Sequence, residues 1–449
     1  MGKLFGTDGV RGVANREITP ELTAGLGRAA GSVLARSNKG YFLLGRDTRH
    51  TGRMLELSLA SGLASAGLNV HLGGVMTTPC LAHILAQGEY AGGAMVSASH
   101  NPAEYNGIKF MDGQGFKLDE DTEMEIEASY GSGSASRVAP WDVGRISEAG
   151  GLLESYVSSL VSQGPRAVSD IGIVLDLAHG AAAHTAPSVF ERLGFSPQFI
   201  GDRPDGSNIN LECGCTHPEF LQSRVLEAGA DVGFAYDGDA DRVLAVDETG
   251  SLVDGDHILA LMALDMAQRD LLPGGVVVAT VMSNGGLDLC LSKAGIQVRR
   301  VGVGDRLVHA EMARLGSALG GEQSGHIIFS EKATTGDGLL TSLMILEVML
   351  REGKPFSRLR KVMEQLPQVM KNATVASREG WEAHPDIRQA VDRGEKALGP
   401  AGRILVRASG TEPVIRIMVE GPDPEVLETV SRDLEAEVSR ALGGGEADR

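Results

Sequence analysis

The sequence predicts an α/β protein in which strands and helices alternate through three successive units before a smaller α+β piece closes the chain. Three observations carry the prediction. Short apolar runs of strand character alternate with stretches whose apolar residues recur at helical spacing. The alternation restarts from unit to unit as a pattern, without repeating identical residues. The length, 449 residues, suits several domains of roughly 100–200 residues each.

The opening Gly6-Thr7-Asp8-Gly9-Val10-Arg11-Gly12 is polar and glycine-rich. Thr19-Pro20-Glu21 then supplies an N-cap and a proline at the first helical position. Leu22, Leu26, Ala29, Ala30 and Val33 follow at helical spacing. Within this helix Gly25-Leu26-Gly27-Arg28-Ala29-Ala30 imitates a dinucleotide fingerprint, but it does not follow a strand and is rejected. Residues 41–44 form a strand ending in Gly45-Arg46-Asp47-Thr48-Arg49, residues 55–66 a helix and residues 69–72 a strand.

Gly93-Ala94-Met95-Val96 and Gly107-Ile108-Lys109-Phe110-Met111 read as two strands enclosing Ser97-Ala98-Ser99-His100-Asn101-Pro102. Ligands of open α/β sheets collect at the carboxyl ends of strands, so a hydroxyl presented there suits a nucleophile or phosphate carrier. The plainer reading is a turn whose side chains bond their own backbone. Nothing local separates Ser97 from Ser99. Residues 119–127 carry six carboxylates, read as a solvated helix face because no small set of them has ligand-like spacing. Gly131-Ser132-Gly133-Ser134-Ala135-Ser136 is a flexible loop, with a domain boundary expected near residue 150.

The second unit begins with a strand over 171–176, continues through a helix over 181–193, and reaches Val232–Tyr236, followed directly by Asp237-Gly238-Asp239-Ala240-Asp241-Arg242. The third has a strand over 276–281, a helix over 286–294, a strand at Gln297–Val301 and then Gly321-Glu322-Gln323-Ser324-Gly325-His326. After about residue 365 come strands over 403–406 and 414–419, separated by Arg407 to Pro413, and a helix begun by Asp423-Pro424-Glu425. The expected domains are 1–150, 151–255, 256–368 and 369–449.

Composition narrows the function classes. Lys plus Arg number 41 against 59 Asp plus Glu, a net charge of −18, which opposes general binding to nucleic acid or anionic membrane. Basic residues must therefore be gathered locally if the substrate is anionic. Cys80, Cys213, Cys215 and Cys290 fit neither a paired zinc spacing nor a disulfide framework. The start has no signal-peptide core, Gly6 stands where a myristoylation motif needs Ser or Thr, and no apolar run approaches a membrane span. A soluble cytoplasmic protein is expected.

Asp237, Asp239 and Asp241 are spaced by two, so their oxygens can converge on one hard cation. Three carboxylates with a substrate phosphate suit Mg²⁺. With Glu248 they also fall at positions 1, 3, 5 and 12 of a calcium EF-hand loop. Arg242 occupies the place of the required glycine, however, and the flanks read as strands. Glu322, Ser324 and His326 alternate, which in an extended loop would point all three toward a polyhydroxylated ligand. The alternative is a capped turn with a satisfied histidine. Arg407-Ala408-Ser409-Gly410-Thr411-Glu412-Pro413, with Arg416 on the next strand, makes an anion nest or an ordinary hairpin loop.

The serine, aspartate, glutamate–histidine and arginine–serine loops occur in the order found in the α-D-phosphohexomutases, which the chain resembles over its whole length. The opening Phe5 to Gly12 and Gln323 resemble the bacterial branch that acts on glucosamine phosphates. Cys215, where serine is expected, and Arg407, at a variable position, are small departures. The resemblance implies three related wound α/β domains plus a smaller C-terminal α+β domain around a central cleft. It implies that Ser99 carries a phosphoryl group, with Ser99, Asp237, Asp239 and Asp241 holding one Mg²⁺ per chain. Arg11, His100 and Lys109 would line the catalytic end. Glu322, Ser324 and His326 would meet the sugar, with Gly304, Asp305 and Arg306 counted among the substrate-binding residues. Arg407, Ser409, Gly410, Thr411 and Arg416 would hold the phosphate not being transferred.

The implied cycle converts a hexosamine 6-phosphate into the 1-phosphate through a 1,6-bisphosphate, feeding UDP-N-acetylglucosamine and cell-wall precursor synthesis. Glucosamine 1,6-bisphosphate is also an expected activator. A phosphoserine brings about −1.5 to −2 charges, so it needs the cation and bases that these loops supply. Either Lys109 or His326 could accept the hydroxyl proton. A homodimer is compatible with this reading. The competing functions are phosphoglucomutase or phosphomannomutase activity, a metal-dependent phosphatase, and a metal-dependent binding protein.

Overall fold

The computed structural model describes residues 4–6, 8–34, 40–133, 135, 137–167, 171–408 and 414–443. It forms two compact units, Met1–Thr280 with Ile296–Val362, and Val281–Gly295 with Met363–Arg449.

The first unit opens with β1 (Val10–Val13), α1 (Pro20–Leu34), β2 (Tyr41–Arg46), α2 (Gly52–Ser65), β3 (Asn69–Val75), α3 (Thr78–Ala86), β4 (Tyr90–Val96), β5 (Tyr105–Asp112), α4 (Glu120–Gly131) and β6 (Ile146–Glu148). The sheet order is β1-β5-β4-β2-β3-β6. β2 runs parallel to β3 and β4, whereas β5 is antiparallel to both β4 and β1. Phe42 and Leu44 of β2 are buried with Leu26, Ala29, Ala30 and Val33 of α1, as strands covered on both faces require. The glycine pattern in α1 has a packing cause. A Cβ at Gly27 would lie 2.5 Å from the Leu59 carbonyl oxygen, and one at Gly62 would lie 2.2 Å from that of Ala24. The two glycines let α1 and α2 touch backbone to backbone. The polar, glycine-rich opening contains β1, because Val10 and Ile108 meet in register at the sheet edge.

The second sheet follows α5 (Leu152–Gln163): β7 (Ile173–Asp176), α6 (Ala186–Leu193), β8 (Gln198–Ile200), α7 (Pro218–Ala228), β9 (Val232–Tyr236), β10 (Val243–Asp247) and β11 (Leu252–Val253). Its order is β11-β10-β9-β7-β8. The helix expected over 181–193 breaks at Thr185 into a 3₁₀ turn and α6. After α8 (Gly255–Gln268) the third sheet comprises β12 (Val276–Thr280), β13 (Gln297–Val301), β14 (Leu319–Gly321) and β15 (Ile327–Phe329), with α10 (Asp305–Leu315) between β13 and β14 and α11 (Gly338–Glu352) and α12 (Phe356–Leu359) beyond β15. The intervening helix α9 (Gly285–Ser292) belongs to the second unit.

The three sheets share one device. Each has parallel strands at its centre, and each then adds an antiparallel partner: β5 beside β4, β10 beside β9, β15 beside β14. Those three strand pairs enclose the serine, aspartate and glutamate–histidine loops respectively.

In the second unit β16 (Gln368–Thr374), α13 (Pro385–Leu398), β17 (Arg403–Ala408), β18 (Val414–Glu420) and α14 (Pro424–Ala441) build an antiparallel sheet of order β16-β18-β17. Its core joins Ile415, Ile417 and Val419 to Leu427, Val430 and Leu434 of α14. Val281–Gly295 is tied in by Asn284, which donates to the Leu366 carbonyl (3.0 Å), and by the Gly285 amide, which donates to Glu420 (2.8 Å).

The acidic segment departs from a solvated face. Asp119 caps α4 by accepting from the Thr122 amide (2.7 Å). Glu123 is buried and pairs with Arg306 at 2.7 Å, and Glu127 accepts the amides of Leu4 and Phe5. Among the described residues no helix is long and apolar enough to cross a membrane, and Cys80, Cys213 and Cys215 are free thiols.

Candidate active site

Ser99 lies in the β4–β5 loop, 1 % exposed, with a left-handed φ of +52°. A non-glycine residue is held there only when its surroundings over-determine it. The Ser97 hydroxyl accepts the Ser99 amide (2.9 Å) and donates to Asp47 (2.7 Å). Asp47 also receives Nε of the buried Arg49 (2.9 Å). Arg49 Nη2 in turn grips the carbonyls of Ser99 and Asn101, at 2.9 and 2.8 Å, and Nη1 those of Pro102 and Tyr105. The separation of the two serines follows: Ser97 braces the loop and Ser99 faces the carboxylates.

The Ser99 hydroxyl donates to Asp237 Oδ2 at 2.6 Å. Asp237, Asp239 and Asp241 are all buried, with one carboxylate oxygen from each within 4.8 Å of the others. Asp239 Oδ2 is engaged by the Thr78 hydroxyl (2.6 Å) and Lys109 Nζ (2.9 Å). Asp239 Oδ1 and Asp241 Oδ1 are buried without a hydrogen-bond donor. Two orphaned anionic oxygens inside an acidic cluster fit a hard divalent cation, which supplies the missing partner. Burial raises the Asp237 carboxyl well above the usual carboxylate range, and its neighbours Asp241 and Asp239 push the same way. Glu248 is turned elsewhere, accepting the Ser357 amide (3.0 Å), so the aspartates do not form an EF-hand with it.

Cations surround this cluster. Arg11 projects from β1 and pairs with Asp8. Lys109 on β5 reaches Asp239, Asp241 (3.4 Å) and Asp8 (3.3 Å). Burial opposes the Lys109 charge, but Asp239 and Asp241 outweigh it and raise the pKa, so this ammonium keeps its proton. His100 Nδ1 lies 3.1 Å from Arg242 Nη1 and 3.3 Å from Ser99 Oγ. Burial, with Arg242 and Arg11 nearby, lowers its pKa to about 4. His100 is therefore a neutral acceptor for the Arg242 guanidinium.

The glutamate–histidine loop is a tight turn joining β14 to β15, not an extended segment. The Glu322 amide donates to the His326 carbonyl (3.0 Å) and the Gly325 amide to that of Glu322 (3.0 Å). The turn nevertheless keeps the three side chains near one another, with Ser324 on Glu322 and with Glu322 and His326 walling one cavity. Glu322 accepts the Gly304 amide (3.1 Å) and the Ser324 hydroxyl (3.3 Å). His326 is buried, its Nε2 accepting the Gly336 amide (3.0 Å) while Nδ1 faces Asp241 at 3.7 Å. Asp305 binds Lys117, which also bridges to Asp8, and Arg306 binds Glu123. A cavity of about 160 Å³ opens here, walled among others by Arg11, His100, Lys117, Asp241, Glu322 and His326.

In the second unit Arg407 and Arg416 stand directly opposite in the β17–β18 register. Like charges opposed across a strand pair disfavour the sheet, an arrangement suited to an anion. Ser409, Gly410 and Thr411 lie outside the described residues.

Sequence reasoning missed Asp47, Arg49, Thr78, Lys117 and Asn210. A signal existed for two of them, since the charged run Arg46-Asp47-Thr48-Arg49 closes a strand at its carboxyl end. Lys117 and Thr78 carry none, because only the fold brings them to Asp305 and Asp239.

A buried serine on a three-carboxylate cation site, ringed by fixed cations and opening on a polar cavity, defines the class: enzymes that move phosphoryl groups. Sequence profiles agree. Residues 2–137, 154–250, 254–366 and 370–437 match the phosphoglucomutase/phosphomannomutase alpha/beta/alpha domains I, II and III and the C-terminal domain respectively. The chain belongs to the phosphoglucomutase/phosphomannomutase family, and within it to the phosphoglucosamine mutases. It is 47 % identical to the phosphoglucosamine mutase of Moorella thermoacetica over 97 % of this chain and 99 % of that one. It is also 47 % identical to that of Streptomyces avermitilis, over 99 % and 100 %. Among solved structures, a phosphoglucomutase/phosphomannomutase family protein from Burkholderia thailandensis superposes with a TM-score of 0.84 at 24 % identity, covering 99 % of each chain. An Aspergillus fumigatus N-acetylphosphoglucosamine mutase, solved with GlcNAc-6P and magnesium, does so at 0.68 and 16 % identity, covering 98 % of this chain and 96 % of that one. Both share the fold.

Proposed function

We propose that this isomerase interconverts glucosamine 6-phosphate and glucosamine 1-phosphate, with Ser99 as the phosphoryl carrier and glucosamine 1,6-bisphosphate as the intermediate. One observation carries the reading: the Ser99 hydroxyl sits 2.6 Å from Asp237, inside the buried carboxylate cluster. Asp237, Asp239 and Asp241, with the Ser99 oxygen, would hold Mg²⁺, which when bound neutralises charge on the transferring phosphoryl group.

In each half of the cycle one P–O bond breaks and one forms. The phosphoryl group leaves Ser99 Oγ for the free sugar hydroxyl, whose proton ends on Ser99 Oγ, and a bisphosphate results. After the sugar reverses, its other phosphoryl group passes to Ser99 Oγ, and the serine proton goes to the sugar oxygen that is released. Arg11, Lys109 and Arg242 supply fixed positive charge through both transfers. His100, neutral, keeps the Arg242 guanidinium aimed at the loop. Glu322, Ser324, His326, Gly304, Asp305 and Arg306 surround the sugar. Arg407, Ser409, Gly410, Thr411 and Arg416 hold the spectator phosphate. The domain boundaries proposed are 1–150, 151–255, 256–368 and 369–449, and the location cytoplasmic.

Intact mass and peptide mapping, before and after incubation with glucosamine 1,6-bisphosphate, test the carrier. One added phosphate on Ser99, absent from Ser99→Ala, is expected. Catalysis surviving in Ser99→Ala overturns the reading. Turnover of glucose or mannose 6-phosphate equal to that of glucosamine 6-phosphate overturns the choice of sugar, and steady release of inorganic phosphate in place of isomerised sugar phosphate overturns the mutase reaction.

A further inference from the structure

We propose that Asn210 is a positioning residue for phosphoryl transfer, a role that rests on Ser99 being the carrier. Asn210 lies on the loop between β8 and α7, distant from Ser99 in sequence, and is buried. Its Nδ2 donates to two carbonyls, that of Ser99 at 2.8 Å and that of Asn101 at 3.0 Å. Arg49 Nη2 grips the same two oxygens from the serine's own sheet. The Ser99–His100 and Asn101–Pro102 peptide units are thus each gripped by both side chains.

The clamp is rigid at its base. Asn210 has a φ of +58°, a left-handed conformation that asparagine tolerates better than most residues. Its own amide donates to the Ala178 carbonyl at 2.9 Å, so the carboxamide is delivered from a fixed main chain. With the Ser99 amide on Ser97 Oγ, both polar main-chain atoms of Ser99 are bound by side chains.

Asn210 and Asp237 both belong to the segment that builds the second sheet. The Ser99 hydroxyl meets Asp237, and the Ser99 carbonyl meets Asn210. Asn210 therefore registers the main chain of the carrier against the part of the fold that presents the carboxylates. It touches neither the transferred group nor the proton. Its loss shifts the serine oxygen relative to the carboxylates, which slows transfer without weakening sugar binding.

Two variants of the full chain test this, with Ser99→Ala alongside. Asn210→Asp keeps the shape but replaces the donor by an oxygen; Asn210→Gly keeps the left-handed backbone and removes the side chain. Steady-state kinetics on glucosamine 6-phosphate, primed with the 1,6-bisphosphate, are read with thermal unfolding. The expected result is a 10- to 100-fold fall in kcat in both variants, the scale of a misplacement of up to about 1 Å, with KM within twofold of wild type. Either variant keeping more than half the wild-type kcat overturns the proposal, as does a loss expressed in KM. Failure of both to fold assigns Asn210 a structural role and also overturns it. An active Ser99→Ala brings down the carrier reading itself, whereas inactive Ser99→Ala beside fully active Asn210 variants defeats the positioning role alone.

Discussion

Replacing Gly238 by alanine probes the tightest approach between the aspartate loop and the serine loop. A Cβ at Gly238 would stand 2.7 Å from the Ser99 carbonyl oxygen, 2.7 Å from Ile209 Cδ1 and 3.1 Å from Asn210 Nδ2. Ile209 can rotate away, but the carbonyl is main chain held by Arg49 and Asn210. Gly238 is not in the left-handed region, so the substitution acts by volume and not by backbone strain. Restoring ordinary contact requires the Ser99 carbonyl to retreat by roughly 0.7 Å, and a misplacement near 1 Å costs about 100-fold in rate. Gly238→Ala should therefore lower kcat by about 10- to 50-fold, roughly 1.4–2.3 kcal/mol, leave KM nearly unchanged, and cost about 1–3 kcal/mol of stability through overpacking. Coupled-assay kinetics and urea unfolding measure both. A variant whose kcat stays within threefold of wild type would show that the serine loop yields at no cost, and the argument for a clamped carrier would fail.

Arg49→Met strips the hub of the serine loop, leaving Asp47 buried with its charge uncompensated, and should destabilise the first unit by about 3–5 kcal/mol; urea unfolding with a loss under 1 kcal/mol contradicts this. Mg²⁺ should raise the calorimetric unfolding temperature of wild type by mass action, with about 2.7 kcal/mol of stabilisation at a hundredfold excess over Kd. Asp239→Asn combined with Asp241→Asn should abolish that shift, and an equal shift in the variant would place the cation elsewhere. Asp337 caps α11 and accepts the Tyr156 hydroxyl, and burial raises its pKa to about 6. The fold prefers the protonated acid, so its contribution to stability is complete below pH 4 and is lost as pH rises through about 6, by about 3 kcal/mol for a shift of roughly two units. Asp337→Asn lacks that loss and should gain on wild type by this amount between pH 4 and 7.5 in urea titrations; a difference independent of pH refutes the assignment.

The parts of the site that could be read from the sequence are contiguous. Ser99 and the three aspartates each sit in one loop at the end of an apolar run that marks the preceding strand, whereas Glu322 and His326 share a loop after β14, whose three residues, two of them glycine, give no strand signal. Their spacing states their chemistry. The supporting residues are dispersed because sheet order, not sequence, makes them neighbours: Arg49 follows β2, yet β2 lies beside β4 and so delivers it under Ser99. Asn210 arrives from a different sheet. β1 escaped detection because Arg11 and Gly12 obscure strand character that only pairing with β5 reveals. The alternation Glu322, Ser324, His326 suggested an extended backbone that the structure replaces by a turn, although Ser324 meets Glu322, and Glu322 and His326 still wall one cavity. Alternation implies a common face only on an extended backbone, and Gly325, at φ +92°, folds that stretch into a turn.

Val281–Gly295 sits between two stretches of the first unit, yet packs with the second. The chain therefore crosses between units three times, and the C-terminal piece is not a detachable cassette. A chimera that exchanges only residues 363–449 for those of a relative would keep the native α9 segment while replacing Leu366, Arg403 and Glu420, which bind its main chain and side chains. Transplanting the second unit between relatives requires two cut-outs from the donor gene, matched to each other, and a single-junction swap should yield a mispacked hybrid.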